Sequence, residues 1–187
     1  VANGFHRAVE DIDVADRIRQ LKSERRLTPG EELGLRGLFP KWETPNLAFH
    51  NRGDLHFEEA GRDWGFDTPG VSQGMALADL DNDGDLDVVI NNLDGAAGLY
   101  RNETVAPRLA VRLKGRAPNT RGIGARITVR GGAVPAQSQE MQAGGRYLSG
   151  DDAMRVFAAG AGDRRLSVEV RWRSGRISEV RDLAPNQ

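Results

Sequence analysis

The chain has 187 residues, of which 39% are apolar and 28% charged, a balance that fits one or two folded domains and excludes collagenous or wholly disordered classes. It contains no cysteine, which removes disulfide scaffolds, thiolate zinc sites and cysteine nucleophiles, and no apolar run reaches the roughly 18–20 residues of a membrane span. Net charge is −1, but residues 1–106 carry 11 Lys and Arg against 20 Asp and Glu, and residues 107–187 carry 15 against 7. Balances of −9 and +8 predict two modules with a boundary beside Pro107, domains 1–106 and 107–187. The basic half has no aromatic-interleaved stripe, so its arginines read as a solvated face and no nucleic-acid partner is expected.

The opening residues "VANG" read as the tail of a strand, so the chain is expected to be part of a longer protein. At 8–22, Val9, Ile12, Ala15, Ile18 and Leu21 recur with a helical period and form one apolar stripe. A second helix is predicted after Thr28: the threonine can cap it, Pro29 suits its first position, and Glu31 completes a capping box. Leu33, Leu35 and Leu38 follow before Pro40 stops it. Residues 8–40 therefore read as a helical insertion.

From Asn46 the pattern becomes short strands punctuated by Gly, Asp and Asn. "NLAFHN" (46–51) and "AGLYRN" (97–102) both place an aromatic two residues before an asparagine, the mark of a repeated strand cassette. After Pro107 the alternation has period two. Leu109, Val111 and Leu113 share a face, as do Ala125, Ile127 and Val129, and again Leu166, Val168, Val170 and Trp172. Such strands between Gly-rich turns predict a small β-sandwich, with Tyr147, Phe157 and Trp172 as the aromatics available to its core. Arg108, Arg112 and Lys114, on the opposite face of their strand, need solvent or partners.

The chemistry concentrates in "ALADLDNDGDLDVVINN". Asp79, Asp81, Asp83, Asp85 and Asp87 occupy alternate positions with Gly84 among them. Unit charges about 4 Å apart repel by roughly 4 kcal/mol at an effective dielectric near 20, so the run calls for a cation. An all-oxygen set suits Ca2+ better than Mg2+, which retains water and demands an octahedron. Asp79, Asp81 and Asp83 can turn carboxylates inward, Gly84 permits the sharp turn, Asp85 offers its backbone carbonyl and Asp87 closes the site. The twelfth position is Ile90 in a β-branched run, so the loop feeds a strand and is not an EF-hand.

"GMALADLDNDGDLDVVINN" resembles the calcium-loop repeats of the FG-GAP/VCBS family of β-propellers, and "NLAFHNRGDLHFEEAGRDWGF" resembles the strand segment preceding such loops. Residues 109–187 resemble the ASPIC/UnbV domain through "LAVRLKG", "NTRGIGARITVRGG", "GGRYLSGDDAMRVF", "VEVRWRSG" and "LAPNQ", although "FAAGAG" at 157–162 and "WRSG" at 172–175 depart from the usual pattern. "VANGFHR" fits the end of a preceding blade. The resemblance implies a mainly β fold, with partial β-propeller blades carrying the helical insertion and a small β-sandwich following. It also implies calcium-stabilised blades, an extracellular, cell-surface or periplasmic location, and adhesion roles. A propeller takes about 4–8 blades, so further blades are expected outside this chain.

The expectation is a non-enzymatic calcium-binding adhesion or scaffold module that recognises a protein or glycan, with no catalytic residues. The competing expectation is part of a polysaccharide-active enzyme, which would need facing carboxylates among Glu140, Asp151, Asp152, Asp163, Glu169, Glu179 and Asp182. Arg52-Gly53-Asp54 spells an integrin-recognised tripeptide, but three-residue matches are cheap. His6, His50 and His56 read as surface residues, Ser149 with Asp151 and Asp152 as a polar turn, and "RGIGAR" as a tight turn between strands.

Overall fold

The computed structural model describes residue 4 and residues 6–187. The expected strand tail at the start of the chain thus falls largely outside the described residues. The fold is mainly β, with two short helices and small antiparallel sheets. It divides into two compact units: residues up to 73 together with 91–96, and residues 74–90 together with 97–187.

In the first unit, Arg7 and Lys41 form an antiparallel bridge. Ala8 N–H donates to Pro40 O and Trp42 N–H to His6 O. The segment 8–40 therefore leaves and rejoins the chain at one point. Helix α1 (Ile12–Glu24) starts later than the apolar period suggests, because the Asp11 side chain accepts from Val14 N–H and makes the better N-cap. Helix α2 (Pro29–Leu35) carries the full capping box of Thr28 and Glu31, followed by a 3₁₀ turn at Arg36–Leu38. Arg25 and the Thr28 hydrogen bonds hold the Glu31 carboxyl down at about 2. Neither helix has a buried residue, so the apolar stripe of α1 is only partly covered.

Strands β1 (Phe49–Gly53) and β2 (His56–Glu59) form an exposed hairpin. Arg52-Gly53-Asp54 lies at its tip, where Arg52 pairs with Glu58 and Asp54 lies 3.0 Å from His56 Nδ1. His50 packs a tilted ring against Trp64, and His6 lies 3.6 Å from Asp94. The histidines are thus surface residues with ordinary neighbours.

Strands β3 (Ser72–Ala78), β4 (Asp87–Asn92) and β5 (Gly98–Tyr100) form a three-stranded sheet, and the loop 79–86 joins the first two. A propeller blade has four strands. No closed propeller is present among the described residues.

The second unit also contains β6 (Arg108–Arg112), β7 (Arg126–Gly131), β8 (Gln137–Glu140), β9 (Met154–Ala158), β10 (Leu166–Arg171) and β11 (Ile177–Leu183). The sheet β8–β7–β10–β11 and the ribbon β6–β9 share one buried cluster, which makes the small sandwich that the alternation predicts. Leu109, Ala125, Ile127, Val129, Leu166, Val168 and Val170 are buried in it, with Val111, Leu113 and Trp172 packed against it. Trp172 Nε1 donates to Ser178 Oγ, so the half-buried indole loses no hydrogen bond. Of the three aromatics available to the core, Phe157 is fully enclosed in it and Trp172 packs against it, whereas Tyr147 is 74% exposed. It sits at the turn of a two-residue ribbon (Gly145–Arg146 against Ser149–Gly150), and Met141 and Met154 are buried instead.

"RGIGAR" is a tight turn: Ile123 N–H donates to Asn119 Oδ1, and Asn119 Nδ2 donates back to Ile123 O. Gly122 has φ +66°, and a Cβ there would come within 2.9 Å of Leu113. Phe157→Ala should cost about 3–5 kcal/mol in unfolding free energy, whereas Tyr147→Ala should change it by less than about 0.5 kcal/mol; urea denaturation measures both.

Candidate metal centre

The loop 79–87 lies wholly in the second unit. It turns tightly because Asn82 (φ 62°) and Gly84 (φ +88°) adopt left-handed backbone, which glycine tolerates freely and asparagine better than most residues. Its own amides fold onto its carboxylates. Asp83 N–H donates to Asp79 Oδ1 at 3.2 Å and Asp85 N–H to Asp83 Oδ1 at 3.0 Å. Asp87 is 1% exposed and ties the loop ends together: Leu80 N–H donates to Oδ2 at 2.9 Å, and Asn102 N–H to Oδ1 at 2.8 Å.

Asp79, Asp81 and Asp87 each present an oxygen within 4.8 Å of the others. Oxygens bound to a single ion at about 2.3–2.6 Å lie at most about 5 Å apart, so these three carboxylates fit one hard divalent cation. Asp83 and Asp85 are arranged differently. Arg108 Nη2 lies 3.3 Å from Asp83 Oδ2 and 3.3 Å from Asp85 Oδ2, and it donates to Asp83 O at 2.9 Å. Asp85 is 2% exposed, and neither of its carboxylate oxygens has a hydrogen-bond partner. Burial raises its pKa from 3.8 to about 6, the charge of Asp83 adds to the rise, and Arg108 opposes it. An open cleft of about 520 Å³ beside the loop is lined by Asp81, Asp83, Arg101, Asn102 and Arg108, so small ions reach the site from solvent.

The structure therefore places all five predicted aspartates on one loop and brings three of their carboxylates together. The sequence pattern missed two participants, Asn102 through its amide and Arg108 through its guanidinium. For Arg108 a signal existed: it is an outward-facing arginine on an alternating strand that requires a partner. The other tempting clusters have structural roles. Ser149 Oγ donates to Met75 O, Asp151 accepts from Leu77 N–H at 2.9 Å and from Arg146, and Asp152 pairs with Arg112.

Residues 43–90 match the family model of the FG-GAP-like repeat, and residues 115–187 match that of ASPIC and UnbV. The chain carries an FG-GAP-like repeat followed by an ASPIC/UnbV domain. A 57-residue stretch is 46% identical to human (Homo sapiens) cartilage acidic protein 1 and 40% identical to that of mouse (Mus musculus). That stretch covers 30% of this chain and 9% of each relative. The acidic loop lies inside the FG-GAP-like repeat. Asn102 and Arg108 lie between the two matched regions.

The raised pKa of Asp85 sets a pH dependence. A carboxyl with a folded-state value above its unfolded one stabilises most when protonated, and that contribution is lost as pH rises through the folded value. In chelator, the wild type should lose about 2 kcal/mol relative to Asp85→Asn between pH 4 and pH 7, measured by urea denaturation across that range.

Proposed function

We propose that the chain is a non-enzymatic, calcium-binding extracellular module in which the metal is structural and the surrounding surface serves adhesion or scaffolding toward a protein or glycan. The observation that carries this reading is the convergence of the Asp79, Asp81 and Asp87 carboxylates on an Asp-rich loop of an FG-GAP-like repeat. FG-GAP repeats are generally associated with calcium. The donor set is all oxygen, it sits on a tight loop, and it suits calcium better than magnesium. When bound, the ion supplies positive charge and a fixed point for the loop. Asp87 holds the two loop ends through its amide contacts, and Gly84 keeps the turn tight enough for Asp79 and Asp81 to face it.

An extracellular location is supported by the FG-GAP-like repeat and by the partial similarity to cartilage acidic protein 1. Among the described residues, no helix is long and apolar enough to cross a membrane. Further blades in the full protein, and a division into modules near Pro107, belong to the same reading. Support for a non-enzymatic role comes from the acids after Pro107. Asp151, Asp152, Glu169, Glu179 and Asp182 each pair with an arginine, where a glycosidase needs two carboxylates facing a bond.

Titrating calcium into chelator-treated protein should release or absorb heat with a one-to-one midpoint and raise the melting temperature. At a free concentration about 100 times Kd the gain should approach about 2.7 kcal/mol. Asp81→Ala should abolish this increment, and a full wild-type increment in that variant would refute the ligand assignment. Incubation with acidic and neutral polysaccharides should yield no new reducing ends; their appearance would favour the enzymatic alternative.

A further inference from the structure

We infer that the end of the second unit formed by residues 113–126 and 171–178 is a docking surface for a linear sulfated glycan. The inference rests on the adhesion reading above and names its partner, and it does not depend on the metal. One segment contributes Lys114, Arg116, Arg121 and Arg126, the other Arg171, Arg173 and Arg176, and neither contains an acidic residue. All of these cations are exposed. Arg112, Arg130, Arg146, Arg165 and Arg181 of the same unit each have a carboxylate within reach, whereas among the described residues none of the cations in the two segments forms an ion pair.

The fold brings the two segments together. Arg126 on β7 and Arg171 on β10 are directly opposite in register, and Arg171 faces Ile177 of β11 on its other side. The loop before β7 lies against the turn after β10: a Cβ on Gly122 would come within 3.1 Å of Trp172, and one on Gly124 within 2.5 Å of Arg173. Backbone bonds close both connections, Gly115 N–H to Thr120 O at 2.8 Å and Trp172 N–H to Arg176 O at 2.9 Å. Like charges directly opposite each other destabilise a sheet. Two positions further along the same face the sheet balances its charge, Glu169 pairing with Arg130 and Glu179 with Arg181. At the rung of Arg126 and Arg171 the one acid is Glu140, across from Arg126 on β8.

Exposed cations hold a single small anion weakly, because water and salt screen each contact. A chain of linked anions engages several of them at once and releases its own counterions, so the surface suits a polyanion. The apolar side chains decide which kind. Leu113, Ile123 and Trp172 turn into the core, and Ile177 is the single large apolar side chain that the two segments leave exposed. A protein partner would lack the apolar anchors that carry most binding energy. A nucleic-acid strand would lack an aromatic platform for its bases, since the indole is packed inward with its N–H donated to Ser178. A sulfated glycan needs neither, because it is held through sulfate and carboxylate oxygens that guanidinium forks bind in pairs.

The test measures heparin binding to the full chain by calorimetry near physiological salt, with the calcium response followed separately by melting curves. Arg126→Gln with Arg171→Gln, and Arg173→Gln with Arg176→Gln, should each weaken heparin binding at least tenfold and flatten its dependence on salt. Arg130→Gln with Arg181→Gln removes the same charge from paired arginines of the same sheet and should weaken binding less than twofold. The Arg126 and Arg171 double variant should keep or raise the melting temperature, because it removes an opposed pair of like charges. Desulfated heparin, polyglutamate and duplex DNA should bind at least tenfold more weakly than heparin. Absence of heparin binding, equal losses from the paired and unpaired arginines, a melting temperature lowered by several degrees in the Arg126 and Arg171 variant, or polyglutamate or DNA bound as tightly as heparin would overturn the inference. Heparin binding by a chain that does not respond to calcium would support it and refute the metal reading, and a calcium response without heparin binding would refute this inference alone.

Discussion

Five aspartates at alternate positions of one nine-residue loop cannot all face a common centre as free anions, and the local structure follows from how that repulsion is relieved. Backbone amides take part of the load: Asp83 N–H, Asp85 N–H, Leu80 N–H and Asn102 N–H each donate to one of the carboxylates. Such charge-assisted bonds are shorter and stronger than neutral ones. They still leave net negative charge, and the remaining compensation comes from Arg108 on one side and, in the proposed reading, a divalent ion on the other.

The strand that leads into the loop is also joined to the sandwich by hydrogen bonds. Asp152 N–H donates to Leu77 O, Leu77 N–H donates to Asp151, and Ser149 donates to Met75 O, so strand β3 is tied to the turn before β9 just ahead of the acidic run. Arg112 then binds Asp152 from β6. A stable aliphatic core on one side and a charge-frustrated loop on the other share one compact unit. Loss or gain of an ion at the loop should therefore register in the stability of the whole unit.

Much of this was legible in the sequence because it is local. The period-two runs located β6, β7 and β10 with their buried faces, and the Thr28–Glu31 box located α2. The Asp-x-Asp-x-Asp-Gly spacing located the loop. What was not legible depends on contacts across distance. Arg108 lies 25 residues beyond Asp83, and no pattern states which acid an outward arginine will meet. Asp85 was readable as a backbone donor, but its buried side chain depends on how the strands close over it. Which of the available aromatics enter the core was not legible either: the glycines around Tyr147 form a tight ribbon that carries its ring to the surface.

The most direct test is a crystal structure of the chain grown with calcium in excess. Calcium binding at this loop predicts a single strong peak bonded at about 2.3–2.6 Å to oxygens of Asp79, Asp81 and Asp87. A well-ordered loop whose carboxylates point into solvent around no such peak would contradict it.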